Sequence, residues 1–162
     1  GTQMLPESQV DRLMFCISMG YPDIQSEIEI VKGNVSRNPL AEVQRVMNGG
    51  ELLEMRKIVE KIFVHDVLYQ YIGRLVQTTR NHEMIELGLS PRGTISISRM
   101  AKARAFLMGR TYVVPEDIAD IFLDVSSHRI RLNAKARVSH ISAKTVLGQI
   151  LAQTVRPTLR RK

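Results

Sequence analysis

Two short runs bracket the longest helix that the sequence predicts. They are Gly88-Leu89-Ser90-Pro91-Arg92-Gly93 and Gly109-Arg110-Thr111-Tyr112-Val113-Val114-Pro115-Glu116-Asp117-Ile118. Ser90 can accept a hydrogen bond from a free N–H of the first helical turn, and Pro91 suits the first helical position because it has no N–H to leave unpaired. The spacing predicts one long helix from there to Met108, with Gly109 as the residue past its end. Tyr112-Val113-Val114 reads as extended. Pro115 then opens a second helix, whose positive N-terminal dipole end is complemented by Glu116 and Asp117. Ile118, Ile121, Phe122 and Val125 form its apolar stripe.

Outward from this pair, helical periodicity continues in both directions. Val67, Leu68, Tyr71, Ile72, Leu75 and Val76 make a second stripe ending near Arg80-Asn81, and residues 82–89 read as a loop. Leu52, Met55, Val59 and Ile62 recur on one face after Gly49-Gly50. Asp23 to Lys32 is amphipathic, with Ile24, Ile28 and Ile30-Val31 apolar, and Gly33-Asn34 is expected to stop it. Residues 34–49 are polar around an island of Leu40, Val43 and Val46. A last helix spans about Ser142 to Thr154. At the other end a short helix covers Pro6 to Leu13. It is followed by the apolar run Met14-Phe15-Cys16-Ile17-Ser18-Met19, which predicts a buried strand ended by Gly20-Tyr21-Pro22. No later segment reads as a sheet for that strand to join, so its sheet is expected to lie elsewhere.

The composition is that of a globular domain: 162 residues, 44% hydrophobic and 24% charged. No apolar run approaches the roughly 20 residues that cross a bilayer, and no secretion leader is visible. The single cysteine, Cys16, cannot form an internal disulfide, which fits a reducing, cytoplasmic setting; inside an apolar strand it is expected to be a buried, inert thiol. The net charge is +7, unevenly distributed. Residues 1–125 carry 14 basic and 16 acidic side chains, whereas residues 126–162 carry nine basic ones and no acid. Such a tail suggests a basic module that binds nucleic acid or a protein partner, with Arg129, Arg131, Lys135 and Arg137 carrying the contact. It offers no aromatic ring on which bases could stack, so nucleic acid is the lesser alternative.

Familiar catalytic constellations are missing. There is no Gly-x-x-x-x-Gly-Lys-Ser/Thr loop and no Gly-x-Gly-x-x-Gly run to hold nucleotide phosphates. The histidines at 65, 82, 128 and 140 have no metal-ligand spacing, so no metal site is expected. Glu83 and Glu86 read as a solvated edge. Two arginines remain. Arg92 lies in the first turn of its helix, where the dipole disfavours a cation by about 0.3–1 kcal/mol relative to an acid. The placement makes sense if an anion sits there, such as a phosphate bound jointly by the guanidinium and free N–H groups; a tolerated, solvent-exposed Arg is the plainer reading. Arg12 closes the short first helix, where a cation is mildly favourable. It is either a helix-end cation or a probe held toward a partner.

Three segments resemble the MoxR-type AAA+ ATPases. Leu5-Pro6-Glu7-Ser8-Gln9-Val10-Asp11-Arg12 is similar to that family's Leu-Pro-Glu-Ala-Gln-Leu-Asp-Arg-Phe segment, with Leu13 in place of the Phe. Gly88-Leu89-Ser90-Pro91-Arg92-Gly93 resembles its sensor 2 motif. Gly109 to Ile118 resembles its Gly-Arg-x-Tyr-Val-Thr-Pro-Glu-Asp-Val stretch. The order of the three is the family's own, and the resemblance fades after about residue 130. It implies a mainly α fold: a helical AAA+ lid bundle preceded by a short helix and strand left over from an α/β nucleotide-binding core. Residues 1–22 would be that core's end, 23–37 a connecting helix and linker, and 38–162 the lid with its basic C-terminal end. The P-loop and the missing sheet would then lie upstream of Gly1. The resemblance further implies ATP and Mg²⁺ as ligands of the intact protein, a hexameric ring, and a chaperone or metal-insertion role, with a von Willebrand A-type partner protein. Arg12 falls on the family's arginine finger and Arg92 on its sensor 2 arginine. Without a P-loop, these 162 residues alone are expected neither to bind Mg-ATP tightly nor to hydrolyse it.

Overall fold

The structure is a computed structural model, and it describes residues 5–36 and 42–158. The chain divides into two compact units. One is formed by residues up to Cys16 together with those from Lys57 onward, and the other by Ile17–Arg56.

In the first unit, α1 (Glu7–Val10) is shorter than the sequence suggests; a further turn of i→i+3 bonds carries the chain through Arg12 and Leu13. The apolar run after it does not become a buried strand. Met14, Phe15 and Ile17 are exposed, as is Cys16, and no strand pairing forms there among the described residues. A strand is held by a neighbour's ladder, and here a single ladder-like bond, Cys16 N–H to the Asp124 carbonyl (2.8 Å), takes its place.

The helical readings fare better. The core is built on α4 (Asp66–Asn81), α5 (Pro91–Leu107), α6 (Pro115–Ser126) and α8 (Ala143–Gln153). Leu68, Tyr71, Ile72, Leu75 and Val76 of α4 are buried against Ile97, Ile118, Phe122, Val125, Leu147 and Ile150. Small residues on the inner face of α5 (Gly93, Ser96, Ala101, Ala105) are buried with it, which lets α6 pack closely. Ser90 caps α5 by accepting from Gly93 N–H (3.2 Å), and Gly109 ends it in a left-handed conformation (φ +69°). The extended segment after Gly109 pairs in parallel with Phe63, through Phe63 N–H to Thr111 carbonyl and Val113 N–H to Phe63 carbonyl, both 2.9 Å.

Two small elements interrupt stretches with no clear period. Within 82–89, β1 (Ile85–Leu87) pairs antiparallel with β2 (Arg131–Leu132), and α7 (Ala134–Val138) is capped by Asn133. In the second unit, α2 (Ile24–Ser36) runs through Gly33-Asn34 rather than stopping there. α3 (Gly49–Glu60) starts in this unit and ends in the first, and none of its residues is buried; Leu52 and Met55 are exposed, although Ile62 beyond it joins the core. Val43 and Val46 are exposed, and Leu40 lies outside the described residues. Among the described residues no helix is long and apolar enough to cross a membrane.

Candidate functional site

The long helix α5 is aimed by what happens just before it. The loop at Gly88 lies directly on the end of α4: a Cβ added to Gly88 would stand 2.7 Å from Arg80 Cα and 2.8 Å from the Thr79 carbonyl oxygen. Leu89 N–H donates to Thr79 Oγ1 (3.1 Å), and Arg80 Nε–H donates to the Leu89 carbonyl (2.8 Å). Only glycine allows this approach without moving backbone. Gly88→Ala is therefore expected to cost about 1–3 kcal/mol, read as a lowered denaturation midpoint.

Ser90 follows, and its hydroxyl does two jobs. It accepts from Gly93 N–H and donates to the Asp11 carboxylate, 2.9 and 3.0 Å from the two oxygens. Arg92 Nη1 lies 3.4 Å from Asp11 Oδ2. An anion does stand at the N-terminus of α5, and in this structure it is the carboxylate of Asp11. Asp11, which holds Arg92, is also the residue before Arg12, so the segments that carry the two arginines singled out from sequence are joined at Asp11. Their environments differ. Arg92 is half exposed and rests on Asp11, whereas Arg12 is exposed and its guanidinium has no hydrogen-bond or ion-pair partner among the described residues.

Arg129 is the residue that sequence reasoning misplaced. Assigned to a nucleic-acid-binding tail, it is instead buried, with no exposed side-chain surface. Its guanidinium donates to the carbonyls of Leu13 and Met14 (the latter at 3.1 Å), to the Val125 carbonyl and to Ser96 Oγ (3.1 Å), while Nε faces Asp11 Oδ1 at 3.4 Å. Burial pulls its pKa below the ordinary arginine value, and the Asp11 charge offsets part of that. Next to it, His128 Nε2 lies 3.0 Å from the Leu13 carbonyl, so that nitrogen carries the proton; burial lowers its pKa and keeps the ring neutral near pH 7. A signal was present in sequence. The buried stripe Phe122, Val125 continues with helical spacing onto Arg129, placing a charge where the core should be.

Other tail cations are also used internally. Arg131 reaches Glu7 (2.6 Å) and Glu86 (3.2 Å), Lys135 reaches Glu83 (3.6 Å), and Lys144 reaches Asp124 (3.8 Å). Arg137 donates to the Leu132 carbonyl (3.1 Å). Among the described residues, four of the tail's cations, Arg129, Arg131, Lys135 and Lys144, are therefore paired with acids that come earlier in the chain. Asp11, Arg129, Arg131, Ser90 and Gly88 line a cleft of about 750 Å³ between α1, the start of α5 and the segment after α6.

The second motif is structural. Asp117 is fully buried and bound by Arg110 through both nitrogens (2.6 and 2.7 Å), by Arg104 (2.9 Å) and by Val114 N–H (2.9 Å). Burial by itself would raise its pKa, yet the Arg110 pair, the Val114 N–H and Arg104 outweigh burial and hold the carboxyl below its ordinary value. Arg104 also pairs with Asp120.

These features define a class. A family described as the AAA lid domain matches residues 77–150, from the end of α4 through α8. The chain is 35% identical to the chaperone MoxR1 of Mycobacterium tuberculosis, covering 96% of this chain and 43% of that protein. It is 32% identical to the YeaC protein of Bacillus subtilis, covering 99% of this chain and 50% of that one. A crystal structure from Cytophaga hutchinsonii, described as a candidate ATPase, superposes with a TM-score of 0.88 at 35% identity, over 98% of this chain and 51% of that one. The chain belongs to the MoxR family of AAA+ ATPases and spans about half the length of the relatives it matches.

Proposed function

We propose that this chain supplies two phosphate-directed arginines to an ATP-driven, ring-shaped MoxR-type machine: Arg12 as the arginine finger and Arg92 as the sensor 2 residue. The observation that carries this reading is the Asp11 carboxylate, which touches Arg92 and Ser90 while preceding Arg12 in the chain. The segments that carry Arg12 and Arg92, far apart in sequence, are thus tied together through Asp11.

The division of labour follows from their surroundings. Arg92 can exchange the Asp11 carboxylate for a phosphate oxygen, because both are anions at the N-terminus of α5 and its guanidinium is half exposed. Arg12, exposed and with no partner among the described residues, can place its charge against the γ-phosphoryl group as negative charge develops there. The Mg²⁺ that accompanies ATP would neutralise the phosphates themselves. Among the described residues no cluster of three or more His, Cys, Asp or Glu side chains could hold a metal ion, and no step assigned to this chain runs through one. Residues 1–22 would close the nucleotide-binding core and 38–162 form the lid. A hexameric ring, a von Willebrand A-type partner protein, and a chaperone or metal-insertion role are the family reading extended to this chain.

Arg92→Ala tests the sensor 2 assignment in the full-length ATPase. Loss of a charge-assisted hydrogen bond is expected to weaken ATP binding about tenfold or more, measured by titration with a fluorescent ATP analogue. Unchanged affinity together with unchanged turnover would overturn it.

A further inference from the structure

The residues on both sides of Arg12 are tied down, whereas its own side chain has no partner among the described residues. On its N-terminal side, Asp11 is held by Ser90 Oγ, by Arg92 and by Arg129 Nε. On its C-terminal side, the Leu13 carbonyl receives both Arg129 Nη2 and His128 Nε2, the Met14 carbonyl receives Arg129 Nη1, and Cys16 N–H reaches the Asp124 carbonyl. The anchors all come from α5, from α6 or from the turn just after it. Burying a guanidinium is costly, and the cost is offset only where its donors find partners; here Nη1 and Nη2 do, while Nε faces the Asp11 carboxylate at 3.4 Å without a hydrogen bond. Arg129 directs a single bond to the preceding helix α6, at Val125, and another to Ser96 on α5, whereas its remaining contacts go to the segment flanking Arg12. A side chain serving the helix bundle alone has no reason to reach there.

We infer that Arg129 is a positioning residue for Arg12: it clamps the carbonyls that follow Arg12, and Asp11 before it, to the helices that carry Arg92, so that finger and sensor 2 arginine move as one body. This rests on reading Arg12 as the finger. His128 is a secondary tether of the same turn. A guanidinium has the planar fork needed to hold two successive carbonyls and a carboxylate at once, which an ammonium lacks.

The test uses the full-length ATPase and compares Arg129→Lys, Arg129→Gln and His128→Ala, each alone and combined with Arg12→Ala. Arg129→Gln is expected to lower kcat by about ten- to a hundredfold with little change in the KM for ATP, Arg129→Lys to recover only part of it, and His128→Ala to lower kcat by about threefold. In the Arg12→Ala background, each change is expected to leave the residual rate where Arg12→Ala alone puts it. Additive losses in that background, or an unchanged kcat for Arg129→Gln in a folded enzyme, would overturn the inference. Should the Arg129 variants not fold, His128→Ala decides: its side chain is partly exposed, and an unchanged kcat or an Arg12-independent loss counts against the clamp. If Arg12→Ala itself leaves turnover intact, the finger reading fails. If Arg12→Ala abolishes turnover while the Arg129 and His128 effects remain additive to it, the clamp alone fails.

Discussion

Replacing Arg12 by Ala in the full-length ATPase is expected to lower turnover by about 10³- to 10⁵-fold while ATP affinity stays within about twofold. The size follows from what a finger does. It adds a full positive charge where the transferring phosphoryl group becomes more negative, and it does so in a site from which water is largely excluded, so its contribution is concentrated in the transition state and not in ground-state binding. The structure makes this variant unusually clean. Arg12 is exposed and its guanidinium has no partner among the described residues, so its removal breaks no internal bond, and the melting temperature should match that of the wild type. Single-turnover hydrolysis and equilibrium binding, measured on the same preparation, separate the two effects. Because the finger is proposed to act across a subunit boundary, mixing Arg12→Ala subunits with subunits unable to bind nucleotide should restore part of the turnover. Loss of ATP affinity as the main effect, or no recovery in mixed rings, would remove Arg12 from this role.

The legibility of this chain depended on whether a signal was local. Ser90, Pro91 and Gly109 act within one helical turn, and α5 begins and ends where they place it. The α4 and α6 stripes are equally local, and both are buried as their spacing implies. The run 14–19 failed because strand formation is a pairwise property: apolar, β-favouring residues say nothing about whether a neighbour is present to bond. The β1–β2 pair was invisible for the converse reason, since three residues at 85–87 and two at 131–132 are too short to show a period. At the site, Arg92 stood out as an exception to helix electrostatics, and Arg12 and Arg92 both through the family motifs. Asp11 and Arg129, which join them, did not. The contacts that join Asp11 to Ser90, Arg92 and Arg129 span about 80 to 118 residues, and no local rule pairs a carboxylate at the end of the first helix with a guanidinium after the sixth. The charge count misled for the same reason: several cations of the tail pair with acids that come much earlier in the chain, although the net excess of +7 remains.

Asp117→Ala is the change with the largest expected effect on stability. The carboxylate is fully buried and receives Arg110 twice, Arg104 once and Val114 N–H, so it joins the end of α5, the extended segment and the start of α6. Removing one partner of a buried ion pair typically costs about 3–5 kcal/mol. Arg104 and Arg110 each keep about a quarter of their side-chain surface exposed and can turn toward water, which places the loss near the lower figure. About 3 kcal/mol corresponds to roughly a 6–12 °C fall in melting temperature for a chain of this size. Asp117→Asn should lose less, because its side-chain oxygen can still accept from Val114 N–H. The pH dependence separates charge from packing. The folded-state pKa of Asp117 lies below its ordinary 3.8, so its ionic contribution is complete above that value and is lost as pH falls through the lower, folded one. The gap between wild type and Asp117→Ala should therefore be constant from about pH 7 to pH 5 and narrow below about pH 4, in denaturant titrations at each pH. A gap that stays the same at pH 3 would mean that Asp117 contributes through shape, and that the Arg110 and Arg104 pairs add no net stability.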